Sequence, residues 1–323
     1  MSNLEIGNPE LSIVVPVFNS QLSLRTLLAR LSQVRNEIGM TMEVILVNDG
    51  SRDGSWSVVC ELMRDYAEVI GVDLMRNFGQ HNALLCGIMM AKGKIIVTVD
   101  DDLQHPVEEI PKLLAALTPE VDVVYGSPLE EQHGLWRDLA SLITKTALSS
   151  AMGAKTACQV SAFRVFRTSL RHAFTHYRGP HVSIDVLLTW ATERFVSVKV
   201  RHDLRQFGKS NYTFSKLLVH ALNMVTGFST IPLRLASIMG FAFTMFGVLI
   251  LCYVLGCYLW QGGGVAGFPF LASIVAIFSG AQLFALGVIG EYLARMYFRS
   301  MDRPLYVVKS IMSTDTAGGA MLK

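Results

Sequence analysis

Three consecutive carboxylates, Asp100, Asp101 and Asp102, stand at the end of an apolar run and are followed by Gln104. In an extended strand end alternate side chains point the same way, so Asp100 and Asp102 can face one site together. Such hard oxygen donors suit Mg²⁺ or Mn²⁺, with substrate phosphates completing the shell. The alternative is an acidic cap on the helix that starts near Pro106. Other polar groups end other apolar runs: Asn19 after the first, Asp49 after the second, Arg76 and Asn77 after the third.

The elements that must hold these residues alternate in type. LSIVVPVF, EVILVN, VIGVDLM, KIIVTVD and VDVVYG read as strands. Between them, residues 22–34, 55–66, 80–90 and 107–117 read as helices. Continuous Val/Ile/Leu strands separated by helices predict a parallel α/β sheet. Ligands of such sheets sit off the carboxyl ends of the strands, which is where the polar residues cluster. Neither GxGxxG after the first strand nor GxxxxGK[ST] occurs, which disfavours a dinucleotide oxidoreductase and a P-loop enzyme.

The chain has 323 residues, 51% hydrophobic and 17% charged, with a formal net charge of +2. That charge balance excludes a basic nucleic-acid binder. Mean hydropathy is +0.40, high for a wholly soluble protein. From Leu235 to Gly290 there is no charged residue and no histidine. Two apolar runs, about 235–260 and 269–290, are long enough to span a bilayer, with the Gly-rich QGGGVAGF between them. Arg234 precedes the pair and Arg295, Arg299, Arg303 and Lys309 follow it, while the short loop is uncharged, so both termini are expected in the cytoplasm. Two stretches with an apolar helical face, around Leu135–Leu148 and Phe214–Val225, fit interfacial helices, the first equally well a helix packed on the soluble core, while the second runs straight into the first span. The five cysteines are odd in number and form no CxxC, against a disulfide framework or a zinc site.

The motifs V-P-V-F-N (residues 15–19), N-D-G-S-x-D (48–53), R-N-F-G-Q (76–80) and D-D-D-L-Q-H-P (100–106) together resemble family 2 glycosyltransferases of the GT-A fold. S-A-F-R-V-F-R (161–167), R-Q-F-G-K-S-N-Y (205–212) and G-E-Y-L-A-R-M-Y (290–297) narrow the resemblance to the polyisoprenyl-phosphate glycosyltransferases, over about residues 10–310. The resemblance implies a mostly parallel GT-A sheet with flanking helices, interfacial helices and a two-helix transmembrane hairpin. It implies a cytoplasmic catalytic domain over 1–210, whose nucleotide-sugar half is 1–130 and acceptor half 131–210. An interfacial helix (211–231), two spans within 232–295 and a cytoplasmic tail (296–323) follow.

The implied activity is inverting transfer of a sugar, from a UDP-linked donor, to undecaprenyl or another polyprenyl phosphate at the bacterial inner membrane. A homo-oligomer stays open. Asp49 would hold the nucleobase, with Pro16 and Asn19 shaping its pocket and Arg76 and Asp101 nearby. Asp100, Asp102 and Gln104 would hold the Mg²⁺ or Mn²⁺, and Arg164, Arg205, Lys209 and Ser210 would face phosphates. Asp102 and Arg205 would carry the chemistry. Ser20, Asn211 and Cys158 stand where the family pattern carries Glu, Lys and Asp. The phosphate acceptor ionises near pH 6 and needs little help from a base, so the loss of that Asp is compatible with activity. A processive polysaccharide synthase would need Q-x-x-R-W and more spans. The competing class is a catalytically impaired sugar-nucleotide-binding membrane scaffold.

Overall fold

A computed structural model describes residues 8–128, 160–179, 182–203, 231–261 and 267–313. Its centre is one eight-stranded sheet. The strands are β1 (Leu11–Val17), β2 (Met42–Asn48), β3 (Val69–Leu74), β4 (Ile95–Thr98), β5 (Val123–Pro128), β6 (Arg164–Arg167), β7 (Phe195–Val200) and β8 (Val308–Met312). Their order is β7-β5-β6-β4-β1-β2-β3-β8. The β4-β1-β2-β3 centre is parallel, β5 and β7 pair in parallel, and β6 and β8 run antiparallel to their neighbours.

The helices are α1 (Leu24–Ile38), α2 (Ser55–Asp65), α3 (Gln80–Met90), α4 (Ile110–Ala116), α5 (Ile184–Ala191), α6 (Ile231–Gln261) and α7 (Phe268–Ser300). Every residue of β1 and β2 is buried because helices cover both faces of the sheet. Ile13, Val15 and Val17 pack with α1, α2 and α4, whereas Val14 packs with α3 and α5. On α1 the buried residues Leu24, Leu27, Leu28, Leu31 and Val34 follow the three- and four-residue spacing of a single face.

Two departures from the expected elements have local causes. Residues 107–109 form a 3₁₀ turn and α4 proper begins at Ile110, because Pro111 has no N–H and is at ease only in a helix's first turn. The fifth expected strand is not beside β4: the S-A-F-R-V-F-R segment supplies β6, which inserts between β4 and β5. The sheet is therefore mixed, in keeping with a mostly parallel architecture.

Helices α6 and α7 are about 46 and 50 Å long at 1.5 Å per residue. Both are long and apolar enough to cross a membrane, through Ile231–Ile250 and Ile277–Ser300, and their windows are almost wholly unburied. They touch through Phe243 and Phe278, whose rings are 5.6 Å apart. Helix α7 continues past Gly290 on good helix formers, with Glu291 and Arg295 paired one turn apart at 2.7 Å. Beyond it the chain turns back and adds β8 to the edge of β3, so the expected tail contains a strand of the sheet. Both stretches read as interfacial helices lie outside the described residues.

Candidate functional site

At the carboxyl ends of β1, β2, β3 and β4 the loops enclose an open cleft of about 980 Å³. Pro16, Asn19, Asp49, Arg76, Asp100, Asp101 and Asp102 all line it, with Phe18, Gly50, Arg52, Asn77, Gly79 and Gln80 among the rest. Gln104 and Arg164 are not among its lining residues. Arg205, Lys209, Ser210 and Cys158 lie outside the described residues.

The first wall joins two loops. Asp49, 2% exposed, accepts hydrogen bonds from the Phe78 N–H at 2.7 Å and the Gly79 N–H at 2.9 Å. Gly50 has φ +65, and a Cβ there would lie 2.5 Å from the Asn77 nitrogen, so the two loops approach as closely as only glycine allows. Burial pushes the Asp49 carboxyl up from its ordinary value, against the two N–H bonds and Arg76. Arg76 itself lies over the Phe78 ring at 4.3 Å. The Asn19 Oδ1 accepts from the Arg52 N–H at 2.8 Å, tying the β1 loop to the β2 loop.

The second wall is the triple-Asp segment. Strand β4 stops at Thr98, so the three carboxylates sit on a turn and not on an extended strand end. Their directions are set by separate partners. Asp100 accepts from Gln80 Nε2 at 2.6 Å. Asp101 Oδ2 accepts from the Phe18 N–H at 3.1 Å and from the Ser20 hydroxyl. Asp102 Oδ1 accepts from the Gln104 N–H at 3.1 Å, closing a turn whose central Leu103 has φ 60. Burial, then the charges of Asp102 and Asp101, push Asp100 up to about 7. Burial pushes Asp101 up to about 6 despite its bonds to Ser20 and Phe18.

Arg164 is 1% exposed and pairs with buried Asp185, which also accepts from the Tyr125 hydroxyl at 3.1 Å. Its charge reaches Asp100 through space, yet its guanidinium is engaged beneath the cleft and does not line it. Gln104 offers its backbone: its carbonyl accepts from the Asp203 N–H at 2.9 Å. That bond brings the chain leaving β7 to the Asp102 end of the cleft. His105 stands beside His202 at 5.0 Å, and burial, followed by His202, holds it down at about 4.

The residues present fit a divalent cation. Three half-buried carboxylates crowd one end of the cleft, where burial first and neighbouring carboxylates second make the charged forms of Asp100 and Asp101 costly without a cation. Among the described residues no three His, Cys, Asp or Glu side chains form a complete metal cage. A partial oxygen shell is what a cation bridging to substrate phosphates requires.

Gln80 and Ser20 escaped assignment from sequence. Gln80 is the final residue of R-N-F-G-Q and the first of α3, and its place after Gly79 at a strand end was the available signal. Ser20 is short enough to donate to Asp101 where the family pattern has Glu.

Residues 12–174 match the family described as Glycosyl transferase family 2. The chain is 33% identical over 308 residues to the undecaprenyl-phosphate 4-deoxy-4-formamido-L-arabinose transferase of Pectobacterium carotovorum, covering 94% of each chain. It is 35% identical to the Aeromonas hydrophila protein of the same name over 315 residues, again covering 94% of each. Among solved structures it resembles glucosyl-3-phosphoglycerate synthase from Mycobacterium tuberculosis, in complex with Mn²⁺, UDP and glucosyl-3-phosphoglycerate. The TM-score is 0.51 at 17% identity, over 68% of this chain and 78% of that one. That likeness is one of fold, and the mixed sheet with flanking helices is of the GT-A type. With a family match over half its length and relatives aligned almost end to end, the chain belongs to glycosyltransferase family 2 and is a glycosyltransferase.

Proposed function

We propose that this enzyme transfers a sugar from a UDP-linked donor to a polyprenyl phosphate, with inversion, at the cytoplasmic surface of a bacterial inner membrane. The observation that carries the reading is the joining, in one chain, of a carboxylate-lined cleft to two helices long and apolar enough to cross a membrane. The relatives are named for undecaprenyl-phosphate chemistry, and the solved structure that shares the fold holds Mn²⁺ and UDP.

In this reading the cleft takes the nucleotide between the Asp49–Gly50 and Arg76–Gly79 loops, with Pro16 and Asn19 below the base. Asp100, Asp102 and Gln104 would hold Mg²⁺ or Mn²⁺, which when bound neutralises the diphosphate as it departs. Asp101 orients the β1 loop through Phe18 and Ser20. Asp203, whose N–H donates to the Gln104 carbonyl, is followed in the sequence by Arg205, Lys209 and Ser210. In the proposed reading these three residues would face the donor diphosphate and the lipid phosphate. Arg164 steadies that end from beneath through its charge on Asp100 and its pair with Asp185. Helices α6 and α7 keep the cleft at the lipid surface, with both termini cytoplasmic.

The test is a screen of UDP-sugars, UDP-4-deoxy-4-formamido-L-arabinose first, with undecaprenyl phosphate and Mn²⁺ in detergent, the lipid product being identified by mass. A glycosyl-phosphoryl lipid is the expected product. Nucleotide binding without transfer to any lipid phosphate would favour the scaffold.

A further inference from the structure

One contact reaches the donor cleft from the strand that returns after the second long helix. β8 pairs with β3 through Gly71–Met312, Val72–Ile311, Asp73–Ser310 and Leu74–Val308. The register shifts between Asp73 and Leu74, which leaves Lys309 as the extra residue of a bulge. Bulges re-aim side chains, and Lys309 Nζ lies 3.0 Å from Asp73 Oδ2. Asp73 is 4% exposed, and its other oxygen accepts from Asn48 Nδ2 at 2.7 Å. Asn48 ends β2 directly before Asp49, and its own Oδ1 accepts from the Ser51 N–H at 3.3 Å. One residue past β3, the Met75 N–H donates to the Val307 carbonyl at 3.0 Å, just before the chain enters the Arg76–Gly79 loop. Both loops of the first wall are therefore anchored where β3 meets β8.

We propose that Lys309 is a positioning residue for the nucleotide-sugar donor, acting through Asp73 and Asn48 on the loop that carries Asp49. The proposal rests on the reading that this cleft takes the donor. Lys309 does not line the cleft, so its effect is indirect. A buried carboxylate stays ionised only while nearby charge or hydrogen bonds compensate it. Without the Lys309 ammonium, Asp73 keeps the Asn48 amide but loses its cation. Its carboxylate is then free to shift or to draw in water, and either change loosens the acceptor that fixes Asn48 and the 49–51 turn. Asp100 to Asp102 are held by other partners, Gln80, Phe18, Ser20 and the Gln104 N–H, so the bond-making end of the cleft keeps its geometry.

The experiment uses the full chain in detergent, with UDP titrated calorimetrically and donor kinetics measured on the same preparations. Lys309→Met should weaken UDP binding and raise the donor KM about tenfold, with kcat at saturating donor changed by less than about twofold. Lys309→Arg should restore most of the affinity. Combining Lys309→Met with Asp73→Asn should recover part of the loss, because no uncompensated charge is then buried, and this pair also serves if the single variant folds poorly. Wild-type UDP affinity in Lys309→Met would overturn the proposal, as would parallel loss of kcat and affinity that Lys309→Arg does not rescue. Failure of the unmodified protein to bind UDP would overturn the donor reading and this inference with it, whereas the variant results alone leave that reading standing.

Discussion

At the residue scale, the carboxylates of the cleft differ in what already occupies them. Asp102 closes its own turn and lines the cleft; if it helps hold a divalent cation as proposed, its replacement by Ala should weaken Mn²⁺ binding and so abolish transfer, because the cation would supply the charge that neutralises the leaving diphosphate. Full turnover in EDTA would refute the assignment. Asp49 is different, since backbone N–H groups already occupy both its oxygens. Asp49→Ala should cost about 1.5–3 kcal/mol of stability for bonds to a charged acceptor, as well as lowering donor affinity. A loss of affinity with unchanged thermal stability would show that the base contact alone matters.

The raised carboxyls also fix the sign of a pH effect. Asp100 at about 7 and Asp101 at about 6 hold protons in the folded protein that an unfolded chain releases near pH 4. Their contribution to stability is therefore greatest at low pH and falls as pH rises toward 7. In chelator, the thermal midpoint contributed by this cluster should drop between pH 5 and pH 8, and Mn²⁺ should raise it most at pH 8. A Mn²⁺ effect equal at both values would contradict this picture.

At the scale of elements, the four central strands and the helices between them could be read from sequence because burial on both faces makes strand runs continuously apolar. The polar strand ends then marked the cleft. Three features were not legible. Alternation along a strand could not orient Asp100 and Asp102, since the strand ends earlier and individual hydrogen bonds aim each carboxylate. The resemblance implied that Arg164 faces phosphates, and its motif carried no sign of the pairing with Asp185, distant in sequence. β8, only five residues long, carries no periodic signal of its own and becomes a strand because β3 offers an unpaired edge. A chain that ends before α6 should accordingly lose stability and self-associate through the exposed β3 edge. A version that replaces 235–290 with a flexible linker and keeps residues 301–313 should fold, bind nucleotide and escape that edge-to-edge association. Equal behaviour of the two by thermal melting and size-exclusion chromatography would show that β8 is dispensable.

For the whole molecule, the proposed reaction would require a water-soluble donor and a lipid acceptor to meet at a membrane surface. If the lipid phosphate is its own ionised nucleophile, Cys158→Ala should cost far less than the 10²–10⁴-fold typical of losing a general base. Arg205→Ala should slow turnover much more, as a guanidinium matched to phosphate is removed. A short, water-soluble prenyl phosphate separates the roles. A harmless Arg205→Ala with that acceptor would mean the arginine serves the membrane surface, and a dead but folded Cys158→Ala would sink the self-ionised nucleophile.

The position of β8 also has a consequence in time. Strand β3 is complete at Leu74, but its partner begins at Val308, after both long helices. At translation rates of about 5–20 residues per second, the β3 edge waits roughly 12–47 s for its neighbour on the ribosome. During that interval the nascent chain carries an open strand edge beside the loops that line the cleft. The sheet can be sealed only after both long apolar helices have been made, so a chain interrupted there keeps an open β3 edge that proteases and chaperones can recognise.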